Sequence, residues 1–186
     1  MKPLHRRFLL AAFSVLLALA VPAVACRSTV PNKEARETVF PSVTGTALDG
    51  REVRIPEDFA GKPVLLLIGY EMETQFDLDR WLIGLLQSKT PIQFIEVPTI
   101  PGLVPGLFSG KIDDGMRSGI PKEDWGGVVT VYGGDASKIV ELTGNERDRN
   151  GRICLLDGKG RVVWFHDRGF SASKLMELDS FVREKM

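Results

Sequence analysis

The sequence predicts an α/β domain: a three-layer sandwich with a mixed central sheet, helices on both faces of it and an N-terminal hairpin. Three observations predict it. The run VLLLIGY, Val64 to Tyr70, is a continuous apolar block of strand length between Pro63 and Glu71, as expected of a strand covered on both faces. Segments of strand and helix character then alternate along the chain, the pattern that builds a layered sheet. Late in the chain RICLLD and VVWFH flank DGKG, a hairpin turn, so antiparallel pairing joins the parallel kind.

The elements follow in order. VFPSVTGTALDGREVRI, Val39 to Ile55, holds the turn signal Asp49-Gly50 between two short β segments and predicts the opening hairpin. Ile55 to Phe59 forms a short turn or a single helical turn before VLLLIGY. Beyond that strand, Phe76, Leu78, Trp81, Leu82, Leu85 and Leu86 recur at spacings that predict a helix from about Thr74 to Ser88. Thr74 is its expected cap, and Asp77 places a carboxylate near the positive helix end. Pro91 ends the helix, and IQFIEV, Ile92 to Val97, supplies the next strand.

Pro98 to Pro121 carries four prolines and five glycines and is expected to be largely irregular. Within it Phe108, Ile112 and Met116 recur at i, i+4, i+8 and predict a short helix from about Leu107 to Ser118. Two readings of that face stand side by side. It packs onto the sheet, or Leu103, Leu107, Phe108, Ile112 and Met116 form a partner-binding segment, since long irregular stretches in compact domains are often functional. GVVTVY is then a strand, Asp135 the N-cap of a helix to about Leu142, RICLLD and VVWFH a hairpin, and SASKLMELDSFVREK a closing helix capped by Ser171 or Ser173.

Residues 1–25 have the three zones of an export signal. Lys2, His5, Arg6 and Arg7 precede the apolar run FLLAAFSVLLALAV, which is shorter than the roughly 20 residues a spanning helix needs, and small residues end it at AVAC. That ending is similar to the bacterial lipoprotein box, with Cys26 as the acylated first residue, although Ala23 stands where that box prefers leucine. The same Ala-x-Ala also suits an ordinary signal peptidase. Arg27 following Cys26 would not, on that likeness, signal inner-membrane retention. Residues 26–38 read as a polar tether and 39–186 as the domain.

The 186 residues, 44% of them apolar, describe one globular domain. The formal charge is zero, and removal of Lys2, Arg6 and Arg7 leaves 21 basic against 24 acidic residues, which argues against a nucleic-acid partner. Cys26 and Cys154 are the only cysteines, and Cys154 sits in an apolar strand pattern as a small buried hydrophobe. An acylated Cys26 leaves no internal disulfide.

In these segments the chain resembles the thioredoxin-like superfamily in its peroxiredoxin and copper-delivery (Sco-type) branch. The opening FP, LDG and IPEDFAGKPVLLLIGY look like that branch's first hairpin, turn and core strand, and GRICLLDGKGRVVWF like its late hairpin. Asn150, Gly151, Leu155, Leu156, Asp157, Arg161 and Trp164 are also similar to the late segment of the mitochondrial ATP synthase assembly-factor family. The copper-delivery branch carries two cysteines, separated by three residues, where Glu73 and Asp77 align here. Its histidine aligns near Arg149, and the usual proline near Asn150 or Gly151. Disulfide exchange and peroxide reduction both begin from a thiolate, so neither inherited activity is expected.

The candidate functional corner is Glu71, Met72, Glu73 and Asp77. Its bland reading is helix capping; its sharper one is a hard-cation site, because Glu73 and Asp77 are four apart with Glu71 nearby. Met72 has no second sulfur or imidazole beside it in sequence, and His166 is expected to be structural or solvated. Asp157, Asp167 and Arg168 lack a nucleophile to complete an acid–base group, and Gly133-Gly134-Asp135 lacks the lysine of a phosphate loop. The expectation is therefore a redox-inactive module without cofactor or resident metal, exported to the cell envelope or periplasm and anchored to the membrane through Cys26. There it would bind a protein or peptide partner. The alternatives are a divalent-metal binding or delivery protein using Glu71, Glu73 and Asp77, or an enzyme of unrecognised chemistry, including a residual thiol activity through Cys154.

Overall fold

A computed structural model describes residues 29–102 and 109–186. Seven strands form one mixed sheet: β1 (Val43–Ala47), β2 (Glu52–Ile55), β3 (Val64–Gly69), β4 (Gln93–Ile100), β5 (Val129–Tyr132), β6 (Arg152–Leu156) and β7 (Val162–His166), in the order β2-β1-β5-β4-β3-β6-β7. β3 runs parallel to β4 and β4 to β5, while the pairs β1–β2, β1–β5, β3–β6 and β6–β7 are antiparallel. Among the described residues four α-helices accompany it: α1 (Gln75–Ser88), α2 (Ser109–Gly119), α3 (Gly133–Thr143) and α4 (Ala172–Lys185). The expected mixed sheet with helices on both faces and an opening hairpin is what forms.

The fully buried run in β3 shows why the sheet lies at the centre. Successive side chains point to opposite faces, so Val64, Leu66 and Ile68 join one core with Ala136, Ile139 and Val140 of α3. Leu65 and Leu67 join the other, with Leu78, Trp81 and Leu85 of α1 and Leu178 and Val182 of α4. Gly84 of α1 lets Leu175 pack against the helix: a Cβ there would meet Leu175 Cδ2 at 2.5 Å, and the end of that side chain would have to shift. Cys154 lies in the first core with no exposure, as its apolar surroundings in sequence predict.

Several expectations are corrected. β4 continues through Pro98 to Ile100, where irregular chain was expected, because Pro98 faces Gly69 at the end of β3 and the next two residues pair with β5. A proline is tolerated where one neighbouring strand stops. Phe76 and Leu86, expected on the apolar face of α1, are exposed, since the buried face is set by Leu78, Trp81 and Leu85. Asp135 is not the cap of α3, which begins after Tyr132; it lies in the first turn, accepting from Thr44 N at 2.9 Å and from Lys138 Nζ. Neither Thr74 nor Ser171 makes a side-chain cap bond to the helix that follows it.

The stretch expected as a tether is part of the folded body from Val30 onward. Val30 N donates to Asn145 Oδ1 at 2.7 Å, and Val30 O accepts from Asn145 N and Glu146 N. Lys33 N then donates to Thr143 O and Glu37 N to Val162 O, with Ala35 fully buried between them. Gly144, at φ +73°, lets this strap pass: a side chain there would collide with Pro31 O.

Candidate functional site

β3 and β4 end side by side, and in α/β sheets the chain beyond such strand ends is where function usually collects. Here that chain is the corner from Tyr70 to Asp77. Tyr70 is buried; its hydroxyl lies 2.6 Å from Thr143 Oγ1, and burial pushes its pKa up to about 12. Glu71 is the N-cap of a single 3-10 turn, Met72–Thr74, and forms a reciprocal capping box with Thr74. Thr74 is fully buried and donates to Asp148 O at 2.7 Å. The hydroxyl thus ties the corner to the loop before β6.

The expected shared face of Glu73 and Asp77 does not form, because winding at three residues per turn rotates Glu73 away from the register of α1. Glu73 is exposed, whereas Asp77 is 7% exposed and turned inward. Its Oδ2 accepts from Gly151 N at 2.8 Å and its Oδ1 from Phe170 N at 2.6 Å. One carboxylate therefore joins α1, the loop before β6 and the loop before α4 through two charge-assisted bonds. Asp77 does lie in the first turn of α1, near the positive helix end as expected, but both its oxygens bond to chain outside that helix. Gly151, one of the two positions near which the resemblance placed a proline, packs so closely that a Cβ would strike Leu78.

Arg152 is the residue sequence reasoning missed, since RICLLD reads as an apolar strand. Its side chain has no exposure, and its guanidinium lies 5.0 Å from the Tyr70 ring centroid. Nη1 donates to Arg147 O and Asn150 O, both at 2.6 Å; Nη2 donates to Asn32 Oδ1 at 2.9 Å and Gly144 O at 3.0 Å. Burial pulls its pKa below the ordinary arginine value, against the opposing charges of Tyr70, Asp167 and Asp148. The strap, the loop 144–151 and the corner thus share one buried cation. An arginine at the head of an apolar run, next to Asn-Gly, was the available signal.

Outside this knot the corner presents apolar surface. Met72 is 88% exposed and Phe76 70%. Leu103, Leu107 and Phe108 lie outside the described residues, as does Cys26. Ile112 and Met116 are half-buried, and the buried residue of α2 is Asp113, which accepts from Tyr132 Oη at 2.7 Å. His166 Nε2 lies 2.8 Å from Gly169 O, its ring against Trp81 and Trp164. It borders a cleft of about 480 Å³ lined also by Asn32, Lys33, Arg147, Arg168 and Lys174. Burial pushes the Cys154 thiol pKa well up, which disfavours the thiolate.

Among the described residues no group of three or more His, Cys, Asp and Glu side chains is placed to hold a metal ion. Glu71, Glu73 and Asp77 do not converge, so the geometry of the corner does not favour the hard-cation reading. A different carboxylate is strained by its surroundings: Glu96 on β4 accepts from Gln75 Nε2 at 3.2 Å. Burial raises its pKa, Asp79 and Asp124 raise it further, and the Gln75 bond opposes them. The folded state then binds this proton more tightly than the unfolded chain. Its contribution is present below the ordinary value of 4.5 and is lost as pH rises through the folded value. Glu96→Gln is expected to raise the thermal midpoint by a few degrees at neutral pH, with the gain gone by about pH 4. Melting curves at both pH values check it.

No family model and no curated protein sequence matches the chain. Solved structures do. Copper-bound Sco1 of yeast aligns at 15% identity and a TM-score of 0.56, over 83% of this chain and 96% of that one. A SCO1/SenC family lipoprotein of Bacillus anthracis aligns at 11% and 0.55, over 83% and 100%. The exposed lipoprotein thioredoxin Etrx1 of Streptococcus pneumoniae aligns at 14% and 0.51, over 75% and 98%. The fold is thioredoxin-like, in the form seen in Sco proteins.

Proposed function

We propose that this thioredoxin-like domain is an exported, lipid-anchored binding module that works by contact, without thiol chemistry, and that the corner from Glu71 to Asp77 meets a protein or peptide partner. The observation that carries the reading is Asp77. At the position that, on the sequence resemblance, aligns with the second cysteine of the copper-delivery branch, a buried carboxylate is committed to Gly151 N and Phe170 N. Such a group stiffens the site and leaves no free ligand or nucleophile there. Cys154 is fully buried, and the apolar Met72 and Phe76 stand out beside the acidic Glu73, a surface suited to an apolar, basic segment of a partner.

A photo-crosslinking residue at Met72 or Phe76 in the exported, full-length protein is expected to give a discrete protein adduct in the envelope, and the same residue at Lys159 none. Loss of that adduct on Glu73→Lys ties it to the corner. The reading fails if neither position gives a specific adduct, or if the purified domain turns over a dithiol or hydroperoxide well above the Cys154→Ser variant.

A further inference from the structure

We propose that the end of the domain carrying the loop 144–151 docks on an anionic lipid surface through Arg147, Arg149 and Arg168. The inference rests on the anchoring at Cys26 proposed above and adds an orientation to it. Cys26 is four residues from Val30, whose N–H and C=O are both bonded to the 144–151 loop. At no more than about 3.6 Å per residue the extended chain between them reaches about 14 Å. A folded body of this length is roughly 40 Å across. The anchor is therefore too short for the molecule to turn this end away from the bilayer.

The chemistry of that end agrees. Arg147, Arg149 and Arg168 are exposed, and among the described residues none of them makes a side-chain ion pair. The neighbouring Asp148 and Asp167 are half-buried and act on the interior charge of Arg152, and Asp167 Oδ2 also accepts from Asn32 Nδ2. Glu146 is exposed in the loop itself, and the other exposed acids of the cleft beside it, Glu34 and Glu177, are paired with Arg36 and Lys174. The outward cations are thus left to solvent, where each basic side chain near an anionic leaflet strengthens attachment. Because Thr74 and Asp77 are bonded to this same loop, docking would hold the Met72 and Phe76 surface beside the membrane. A partner of the corner would then be met at the lipid surface.

The test uses the mature lipoprotein, in which an acylated Cys26 and a buried Cys154 leave an introduced cysteine as the reactive thiol. Glu146→Cys lies in the docking loop. Lys159→Cys lies in the β6–β7 turn, at the other end of a five-residue strand and so about 15 Å further from the anchor. In vesicles of phosphatidylcholine with phosphatidylglycerol and a headgroup nitroxide lipid, a fluorophore at 146 is expected to be quenched several-fold more than one at 159. Arg147→Gln, Arg149→Gln and Arg168→Gln combined are expected to bring the two toward equality. Equal quenching in the unsubstituted protein, stronger quenching at 159, or indifference to both phosphatidylglycerol and the triple variant overturns the proposal. So does shielding of the 146 label in native membranes but not in protein-free vesicles, which assigns the surface to a protein. An unacylated Cys26 by intact mass removes the anchor and overturns it too, while leaving the crosslinking result at Met72 and Phe76 to decide the partner reading separately.

Discussion

Arg152→Met is expected to destabilise the mature domain by roughly 3–4 kcal/mol, lowering its thermal midpoint by about 10 °C. Methionine keeps the length of the side chain but donates nothing. Four oxygens, those of Arg147, Asn150, Gly144 and the Asn32 side chain, each lose a charged donor, although Arg147 O keeps Asn150 N, Asn32 Oδ1 keeps Arg147 N and Gly144 O still has Thr143 Oγ1 at 3.1 Å. An unsatisfied buried acceptor costs about 1–3 kcal/mol. The total stays below the sum because the loop 144–150 can readmit water and because a buried charge is removed with the bonds. Arg152→Lys is expected to recover less than half, since one ammonium cannot reach four acceptors that a planar fork spans. Chemical denaturation of both variants measures this. A loss under about 1 kcal/mol for the methionine variant would mean that the strap and the loop are held by other contacts.

Asp77→Ala is expected to cost about 3 kcal/mol, because the N–H groups of Gly151 and Phe170 are stripped of a charged acceptor at once. Asp77→Asn should lose about half of that, since the amide keeps one acceptor and turns its NH₂ toward the other donor. Glu73→Ala, at the exposed position four residues earlier, is expected to stay within about 0.5 kcal/mol. The contrast separates a buried cross-link from a generally acidic corner. If both alanine variants behave alike, Asp77 does not join the three segments. Amide exchange at Gly151 and Phe170 provides a second readout, because both amides should exchange faster in the alanine variant.

Much of the fold is legible in local patterns. VLLLIGY announces a strand covered on both faces, and Leu65 and Leu66 do enter opposite cores. Asp49-Gly50 and DGKG mark the two hairpins, and Gly50 and Gly160 take the positive φ such turns require. The candidate site was less legible. Periodicity placed Glu73 and Asp77 on one face, but it assumes α-helical winding, and the 3-10 turn at Met72–Thr74 breaks that assumption before α1 begins. The same α-helical reading of Phe108, Ile112 and Met116 passed over Asp113, whose burial depends on Tyr132, across 19 residues of chain.

By itself the sequence determined the order and kind of the main elements, the two-sided burial of β3 and the placing of Cys154 inside, because each follows from apolar spacing within a few neighbouring residues. Only the tertiary structure decided that β5 inserts between β1 and β4, that Val30 to Glu37 belongs to the body, and that Asp77 and Arg152 fasten the corner. Those outcomes depend on partners far apart in the chain, 74 and 93 residues for the bonds of Asp77 and 120 for that of Arg152 to Asn32. Hydrogen bonds over such separations carry no local period; they form where a buried polar group finds a donor or acceptor that folding has already brought beside it.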